Sequence, residues 1–129
     1  MFDVVQLNSE TWLICGGRSF SDRQMFDRAM GDLMELKGCP SHIIHGAAKG
    51  ADAMADEFGK RMGVRVTAFH PNWKEDGSAA GPLRNELMLQ QKPDLVVAFP
   101  GGRGTADMVE RARKASVDVA EIKATANVD

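Results

Sequence analysis

The chain has only two cysteines among 129 residues, and no apolar run approaches the roughly 20 residues that a helix needs to cross a bilayer. Cys15 and Cys39 lie in neither a CxxC pair nor a zinc-ligand spacing, so we interpret them as free thiols in a reducing compartment. No basic residue precedes Arg18, although a signal peptide would carry one near its start. We therefore expect a cytoplasmic protein without a membrane-spanning segment.

The chain also lacks an excess of basic residues. Its net charge of −2 excludes an overall positive field of the kind that drives non-specific binding to nucleic acid. The apolar fraction of 43% and the charged fraction of 26% are ordinary for a globular protein, so one domain with a real core is expected. We assign that domain to residues 11–122, with an arm or short strand at 1–10 and a frayed tail at 123–129.

Short apolar runs alternate with helical patterns along the whole chain. Such alternation implies right-handed crossovers and a parallel sheet that is covered on both faces. We therefore predict an α/β fold, a single Rossmann-like three-layer domain with a doubly wound, mostly parallel five-stranded sheet. The predicted strands are 11–15, 42–45, 64–69, 95–99 and 117–119.

Capping signals and periodicity set the expected helix boundaries. Ser21 followed by Gln24 has the pattern of a capping box, which predicts the start of the first helix. The stretch 70–81 is interpreted as a long turn. In the helix that follows it, Leu83 and Leu87 share a face, which we attribute to the core.

Residues 99–108 have the pattern of a strand end, a glycine turn and a helix start. Gly101, Gly102 and Gly104 are expected to let the backbone reach positive φ and to let a ligand lie against main-chain N–H groups. Thr105 is expected to cap the helix, whose positive end attracts phosphate or carboxylate. Glycine turns of this kind also join strands to helices in proteins that bind nothing there.

Every strand-to-helix turn carries at least one basic side chain. In a parallel sheet these turns share one edge, and ligands bind where the strand order reverses. The cations would give that edge a positive field suited to a small phosphorylated molecule. Since 16 of the residues are basic, chance could also produce this pattern. The cations are Arg18, Lys49, Lys74, Arg84 and Arg103.

Other side chains near this edge could bind the rest of a ligand. Trp73 could stack on a base, or it could pack on the domain as a lid. Asp52, Glu86 and Asp107 are each expected in a first helical turn, where the helix dipole alone favours an acidic residue. Beside a bound ribose, a carboxylate could also hydrogen-bond the hydroxyls or support an oxocarbenium-like transition state.

Cys15, His45 and His70 fall near the carboxyl ends of predicted strands, but their spacing matches no recognised metal site, so no metal is expected. His45 can act as an acid or base near neutral pH, although a hydrogen-bonded histidine at a strand end is commoner. We interpret Cys15 as an inert buried thiol rather than a nucleophile.

Four motifs, in this order, resemble the YspA-like branch of the SLOG superfamily over about residues 11–120. They are GGRSFSD at 16–22, GAAKGAD at 46–52, AGPLRNELM at 80–88 and FPGGRGT at 99–105. The resemblance implies a Rossmann-like domain that binds a nucleotide or a nucleotide-derived ligand, such as ADP-ribose, an NAD derivative or a nucleoside phosphate, as a sensor or binding module. Because relatives pair through helices, a homodimer is also expected.

The resemblance and the turn pattern together give the expected ligand contacts. No resident cofactor is expected besides the nucleotide-like ligand. The contact residues are Gly16, Gly17, Arg18, Ser19, Gly46, Lys49, Gly50, Asp52, Trp73, Arg84, Asn85, Pro100, Gly101, Gly102, Arg103, Gly104 and Thr105.

The superfamily includes the Lonely Guy phosphoribohydrolases, also labelled lysine decarboxylase-like, and the DNA-processing protein DprA. The catalytic pair of the Lonely Guy enzymes is an Arg before the third helix and the Glu that closes a PGGxGTxxE motif. Arg84 matches the Arg loosely, whereas Met108 occupies the Glu position, and a thioether can neither accept a proton nor stabilise positive charge. Asp107 is adjacent, but one residue along a helix turns the side chain by about 100°.

The resemblance therefore supports ligand binding more strongly than catalysis. Hydrolysis of a nucleotide N-glycosidic bond stays open as the alternative, with Arg84 and Asp107, or less readily Asp52, as the catalytic residues. Single-stranded DNA binding of the DprA type is disfavoured by the acidic net charge and by the lack of an exposed aromatic series.

Overall fold

Five short parallel strands form the central sheet of the computed structural model, which describes residues 7–123. The predicted Rossmann-like α/β fold is confirmed, and the sheet is parallel throughout. The strand order is β3-β2-β1-β4-β5. The strands are β1 (Thr11–Cys15), β2 (His42–His45), β3 (Arg65–Ala68), β4 (Leu95–Ala98) and β5 (Asp118–Glu121).

Helices connect the strands and cover both faces of the sheet. Within residues 7–123, no helix combines the length and the apolar character that crossing a membrane requires. The helices are α1 (Arg23–Lys37), α2 (Ala51–Arg61), α3 (Trp73–Asp76), α4 (Ala80–Leu89) and α5 (Arg103–Lys114), with a 3₁₀ turn at Gly77–Ala79.

The alternation of side chains along β1 divides the core between the two faces. Trp12 and Ile14 pack on one face, in the cluster that contains Phe26 and Phe99, whose rings stack 4.9 Å apart. Leu13 packs on the other face, in a second cluster. Because successive side chains of a strand point to opposite faces, a strand covered on both faces is apolar, as β1 is from Trp12 to Cys15.

The strand order reverses beside β1, and this reversal positions the site. The chain proceeds outward from β1 to β2 and β3, and then returns so that β4 pairs with the free side of β1. The loops after β1 and β4 therefore diverge to opposite faces and leave a crevice between them at the carboxyl ends.

The predicted long turn at 70–81 is wrong, because α3 and the 3₁₀ turn occupy most of it. The Asn72 side chain begins α3 by accepting a hydrogen bond from the Glu75 N–H at 3.1 Å. No residue of α3 is buried, so this helix has no apolar face that would leave a period in the sequence.

Two of the predicted helix caps are also wrong. Asp22 rather than Ser21 caps α1, since its carboxylate accepts from the Met25 N–H at 3.0 Å. Gly102 is the N-cap of α5, and Thr105 lies inside the first turn of that helix. In both cases neighbouring residues suit the cap, and the path of the preceding chain decides between them.

The prediction that Leu83 and Leu87 of α4 face the core is wrong as well. Leu83 is 48% exposed and Leu87 is 52% exposed, whereas Ala80, Asn85 and Met88 are buried. The core therefore does not explain the two leucines, and the homodimer stays a prediction.

The ends of the chain are described only in part. Leu7 forms a single parallel β-bridge with Cys39, in the predicted arm or short strand at 1–10. Residues 1–6, and 124–129 of the predicted tail, lie outside the described residues.

Candidate ligand-binding site

A cavity of about 680 Å³ lies at the carboxyl ends of β1 and β4. It includes all of the predicted contact residues except Gly46, Lys49 and Gly50. Its lining residues are Cys15, Gly16, Gly17, Arg18, Ser19, Phe20, Ala48, Asp52, Trp73, Arg84, Asn85, Met88, Pro100, Gly101, Gly102, Arg103, Gly104 and Thr105.

Hydrogen bonds hold the loop after β1 between its two neighbours. The Gly17 N–H donates to the Pro100 carbonyl at 2.9 Å, and the Ala51 N–H donates to the Gly17 carbonyl at 3.3 Å. These two bonds join the loops that follow β1, β2 and β4. The wall of the cavity is thus one hydrogen-bonded unit rather than three separate turns.

Four glycines permit this close packing of loops. A Cβ at Gly16 would lie 2.5 Å from the Ala51 Cβ, and one at Gly17 would lie 2.9 Å from the Pro100 carbonyl oxygen. At Gly50 it would overlap the Gly17 carbonyl, and at Gly101 it would lie 2.7 Å from the Gly17 nitrogen. These glycines therefore serve the packing of the loops, whatever the cavity binds.

Gly102 and Gly104 differ, because a Cβ at either position would meet no heavy atom of the described residues within 4 Å. The expected positive φ is wrong for the turn after β4, since neither of these glycines nor Gly101 has one; Gly50 does, with φ of +74°. Missing side chains at Gly102 and Gly104 leave the start of α5 accessible from the cavity.

The first turn of α5 presents backbone N–H groups to this open space. The N–H groups of the first turn have no acceptor within a helix, and the first intrahelical bond of α5 runs from the Ala106 N–H to the Gly102 carbonyl. Gly102 caps the helix without a side chain. The partial positive charge of the helix start therefore faces the cavity.

In the turn after β2, by contrast, two backbone N–H groups already donate hydrogen bonds to side chains. The Ala47 N–H donates to His45 Nδ1 at 3.0 Å, and the Ala48 N–H donates to Asp52 Oδ2 at 3.1 Å. The other ring nitrogen, Nε2 of His45, lies 2.9 Å from Asp56 Oδ1, so this histidine is a structural group. The N–H groups of Ala47 and Ala48 are therefore not free to bind an anion.

Arg84 crosses the cavity from α4 to the turn after β2. Its Nη1 donates to the Gly46 carbonyl, and its Nε donates to Asn85 Oδ1 at 3.0 Å. A Cβ at Gly46 would collide with the guanidinium, so this glycine makes room for Arg84 rather than for a ligand. Burial lowers the pKa of Arg84, and the nearby Asp52 carboxylate opposes that shift.

Asn85 links Arg84 to the start of α5. Its side chain is buried, and its Nδ2 donates to the Gly104 carbonyl at 3.1 Å and to Asp107 Oδ2 at 2.9 Å. Both acceptors lie on the amide nitrogen side, so Oδ1 faces the Arg84 N–H. Asn85 therefore holds the Arg84 guanidinium and the positive start of α5 in a fixed arrangement.

The Asp107 carboxylate is directed away from the cavity. It accepts from Arg111 Nε at 2.8 Å, and Arg111 also donates to Glu86 at 3.0 Å. Neither acidic residue lies in a first helical turn, contrary to expectation, and neither lines the cavity. Met108 is fully buried in the core.

Asp52 is a buried carboxylate on the cavity wall, in the first turn of α2 as expected. Its exposed fraction is 5%. Burial raises its pKa, although the N–H groups of Ala48 and Gly46 and the charges of His45 and Arg84 act in the opposite direction.

Cys15 was predicted as a buried thiol but not as part of the cavity, which it lines. Burial, with a smaller effect of Asp52, raises the pKa of its thiol to about 12. A neutral thiol is a poor nucleophile, which agrees with the interpretation as an inert group. Among the described residues, no three His, Cys, Asp or Glu side chains cluster as metal ligands would.

The remaining side chains lie at the mouth. Arg18, Arg103 and Trp73 are exposed there, and Trp73 retains 52% of its surface. Lys49 and Lys74 are exposed but do not line the cavity. Besides Cys15, the lining residues that were not predicted are Phe20, Ala48 and Met88.

Comparison with known proteins gives two matches. The model of the YspA, cpYpsA-related SLOG family matches residues 13–75, which run from β1 through most of α3. The Gene 61 protein of Mycobacterium phage D29 is 34% identical over 114 residues, which cover 83% of this chain and 91% of the phage protein. No solved structure matches the chain.

Proposed function

From the premise that this chain belongs to the YspA, cpYpsA-related SLOG family, we propose that it binds a nucleotide or nucleotide-derived ligand in the cavity, without cleaving it. Membership of the family suggests the binding or processing of nucleotide-related ligands. ADP-ribose, NAD derivatives and nucleoside phosphates all present phosphate, ribose and base, which are the groups to be accommodated.

The open start of α5 is the observation that carries the proposal. The helix has 12 residues, so its dipole is well developed, and no side chain between residues 7 and 123 caps its N-terminus by a hydrogen bond. Arg18 and Arg103 line the same part of the cavity. Backbone N–H groups and guanidinium groups together form a binding site for phosphate.

Trp73 supports a base at the mouth of the cavity. The residue is 52% exposed although it belongs to the lining, so a large part of its surface is available to a ligand. Stacking of a base on an aromatic ring contributes about 1–3 kcal/mol. A base on this ring would complete a ligand whose phosphate lies at α5.

Binding is favoured over N-glycosidic hydrolysis by the positions of two side chains. Met108 is in the core, and Asp107 forms an ion pair with Arg111 outside the cavity. Neither can act on a bound sugar from there, so Asp52 is the one carboxylate of the hydrolase alternative that lines the cavity. The proposed role is accordingly that of a sensor or binding module.

The test is isothermal titration calorimetry of the protein with ADP-ribose, NAD and AMP, followed by chromatography of the recovered ligand. Arg103→Ala should weaken binding by about tenfold or more, since charge-assisted hydrogen bonds contribute about 1.5–3 kcal/mol. Arg113→Ala is the matched control, because Arg113 lies at the far end of α5 and pairs with Glu121 at 2.7 Å.

Unchanged affinity in Arg103→Ala would show that the anionic group of the ligand does not bind at the start of α5. Release of free base during the incubation would instead support the hydrolase. A lack of saturable binding to any of the three ligands at millimolar concentration would refute the proposal.

A further inference from the structure

Asp52 is the one acidic side chain that both lines the cavity and is buried among the described residues. Only 5% of the residue is exposed, and its Oδ2 accepts from the Ala48 N–H at 3.1 Å. No basic side chain of residues 7–123 forms an ion pair with it within 4.0 Å. Its donors, the N–H groups of Ala48 and Gly46, carry no full charge, and a carboxylate has room to accept a further hydrogen bond from a molecule in the cavity.

The charge of Asp52 restricts what that group can be. A phosphate cannot lie against a carboxylate, because both are anionic. An ionised carboxylate accepts hydrogen bonds and donates none, so the group must be a donor. A sugar hydroxyl is a donor without charge, and it also accepts.

Arg84 supplies the complementary donors on the same wall. Its Nε and Nη1 bond to Asn85 and Gly46, whereas its Nη2 forms no hydrogen bond to any residue between 7 and 123. A guanidinium Nη2 carries two N–H donors. A hydroxyl between the two side chains can therefore donate to Asp52 and accept from Arg84, and a pair of adjacent hydroxyls suits both at once.

We infer that Asp52 and Arg84 form a diol subsite, so that the cavity selects ribonucleotide-derived ligands with free 2′- and 3′-hydroxyls over deoxy forms. This inference rests on the proposed function, in which the phosphate occupies the start of α5. The two ends of the cavity then differ in charge: the cationic end takes the phosphate and the Asp52 end takes the ribose. The direction of the ligand follows from that difference.

The test compares AMP with 2′-deoxy-AMP and 3′-deoxy-AMP by titration calorimetry on the wild-type protein. AMP should bind on the order of tenfold more tightly than either deoxy form, since a hydrogen bond to a charged group is lost. Asp52→Asn should reduce that ratio to about threefold or less. The asparagine oxygen can still accept the Ala48 N–H, so the turn keeps its cap.

Two controls accompany this comparison. Glu57→Gln removes an exposed carboxylate from the same helix, away from the cavity, and should keep the wild-type ratio. Arg103→Ala should weaken AMP and the deoxy forms by the same factor, because it acts at the phosphate end. Asp52→Ser, which is smaller and neutral, serves as a second variant should Asp52→Asn unfold early in a thermal melt.

The outcomes separate the two proposals. Equal affinity of the wild-type protein for AMP and both deoxy forms overturns the diol subsite and leaves nucleotide binding intact. A wild-type ratio that persists in the folded Asp52 variants overturns the role of Asp52. A failure of AMP, ADP-ribose and NAD alike to bind overturns both proposals.

Discussion

The same substitution, glycine to alanine, should change stability in opposite directions at Gly50 and Gly104. Gly50 is the N-cap of α2 and Gly104 lies in the first turn of α5, and both helices begin at the same edge of the sheet. At Gly50 the added Cβ would overlap the Gly17 carbonyl and lie 2.7 Å from the Arg18 carbonyl oxygen. At Gly104, inside α5, it would meet no heavy atom of the described residues within 4 Å.

The magnitudes follow from backbone conformation and packing. Gly50 has φ of +74°, and a left-handed alanine costs roughly 1–2 kcal/mol. Overpacking adds about 1–3 kcal/mol, which gives about 2–5 kcal/mol of destabilisation. Gly104→Ala should stabilise the protein by about 0.5–1 kcal/mol, because alanine loses less conformational entropy in a helix than glycine does.

Thermal melts and urea denaturation measure both variants. At about 4 °C per kcal/mol, Gly50→Ala should lower Tm by about 8–20 °C and Gly104→Ala should raise it by about 2–4 °C. Ligand binding should fall in the stabilised variant, since its methyl group enters the space next to the α5 N–H groups. Shifts of Tm in the same direction would refute the division of the glycines into packing and access roles. Undiminished binding by Gly104→Ala would refute the placement of the ligand at α5.

Three further predictions concern single side chains. Burial raises the pKa of Asp52, so the folded state favours its protonated form, and this contribution is lost as pH rises through the folded pKa. Asp52→Asn without ligand should therefore be more stable than wild type at pH 7 in urea titrations. This advantage should shrink as pH falls through the raised folded pKa and be gone below about pH 4, and an advantage that grows in acid would contradict this. Trp73→Phe should remove most of the fluorescence change that ADP-ribose causes, because the other tryptophan, Trp12, is fully buried. Ribose 5-phosphate, which has no base, should change the fluorescence of the wild-type protein little, and an equal change with both ligands would exclude stacking. Cys15 and Cys39 are both buried and their thiol pKa values are raised, so neither should react with a thiol reagent at pH 8 until urea unfolds the chain. Rapid reaction of the folded protein would show that burial does not protect these thiols.

The strands and most cavity-lining residues could be predicted because their signals are local. The apolar run 95–98 and the turn after it specify a strand and a helix start without reference to the rest of the chain. Once the sheet is parallel, its strand-to-helix turns must share an edge, so Arg18, Arg84 and Arg103 are brought to one cavity.

The helix at 73–76 and the faces of α4 were not predictable in the same way. An element with no buried residue leaves no hydrophobic period, as α3 shows. On α4, Leu83 and Leu87 have the spacing of a core face, but the helix buries Asn85 and Met88 instead. Which face a short helix buries depends on where its neighbours lie.

The sequence by itself determined the alternation of strands and helices, the parallel sheet and most of the residues that line the cavity at its carboxyl edge. Only the tertiary structure decided what each of them does there. It assigned Gly50 to loop packing and left Gly104 open, closed the Ala48 N–H with Asp52, and directed Asp107 towards Arg111. The physical reason is that periodicity and turn chemistry act between near neighbours, whereas free N–H groups, buried charges and open space depend on atoms far apart in the chain, as between Gly17 and Pro100.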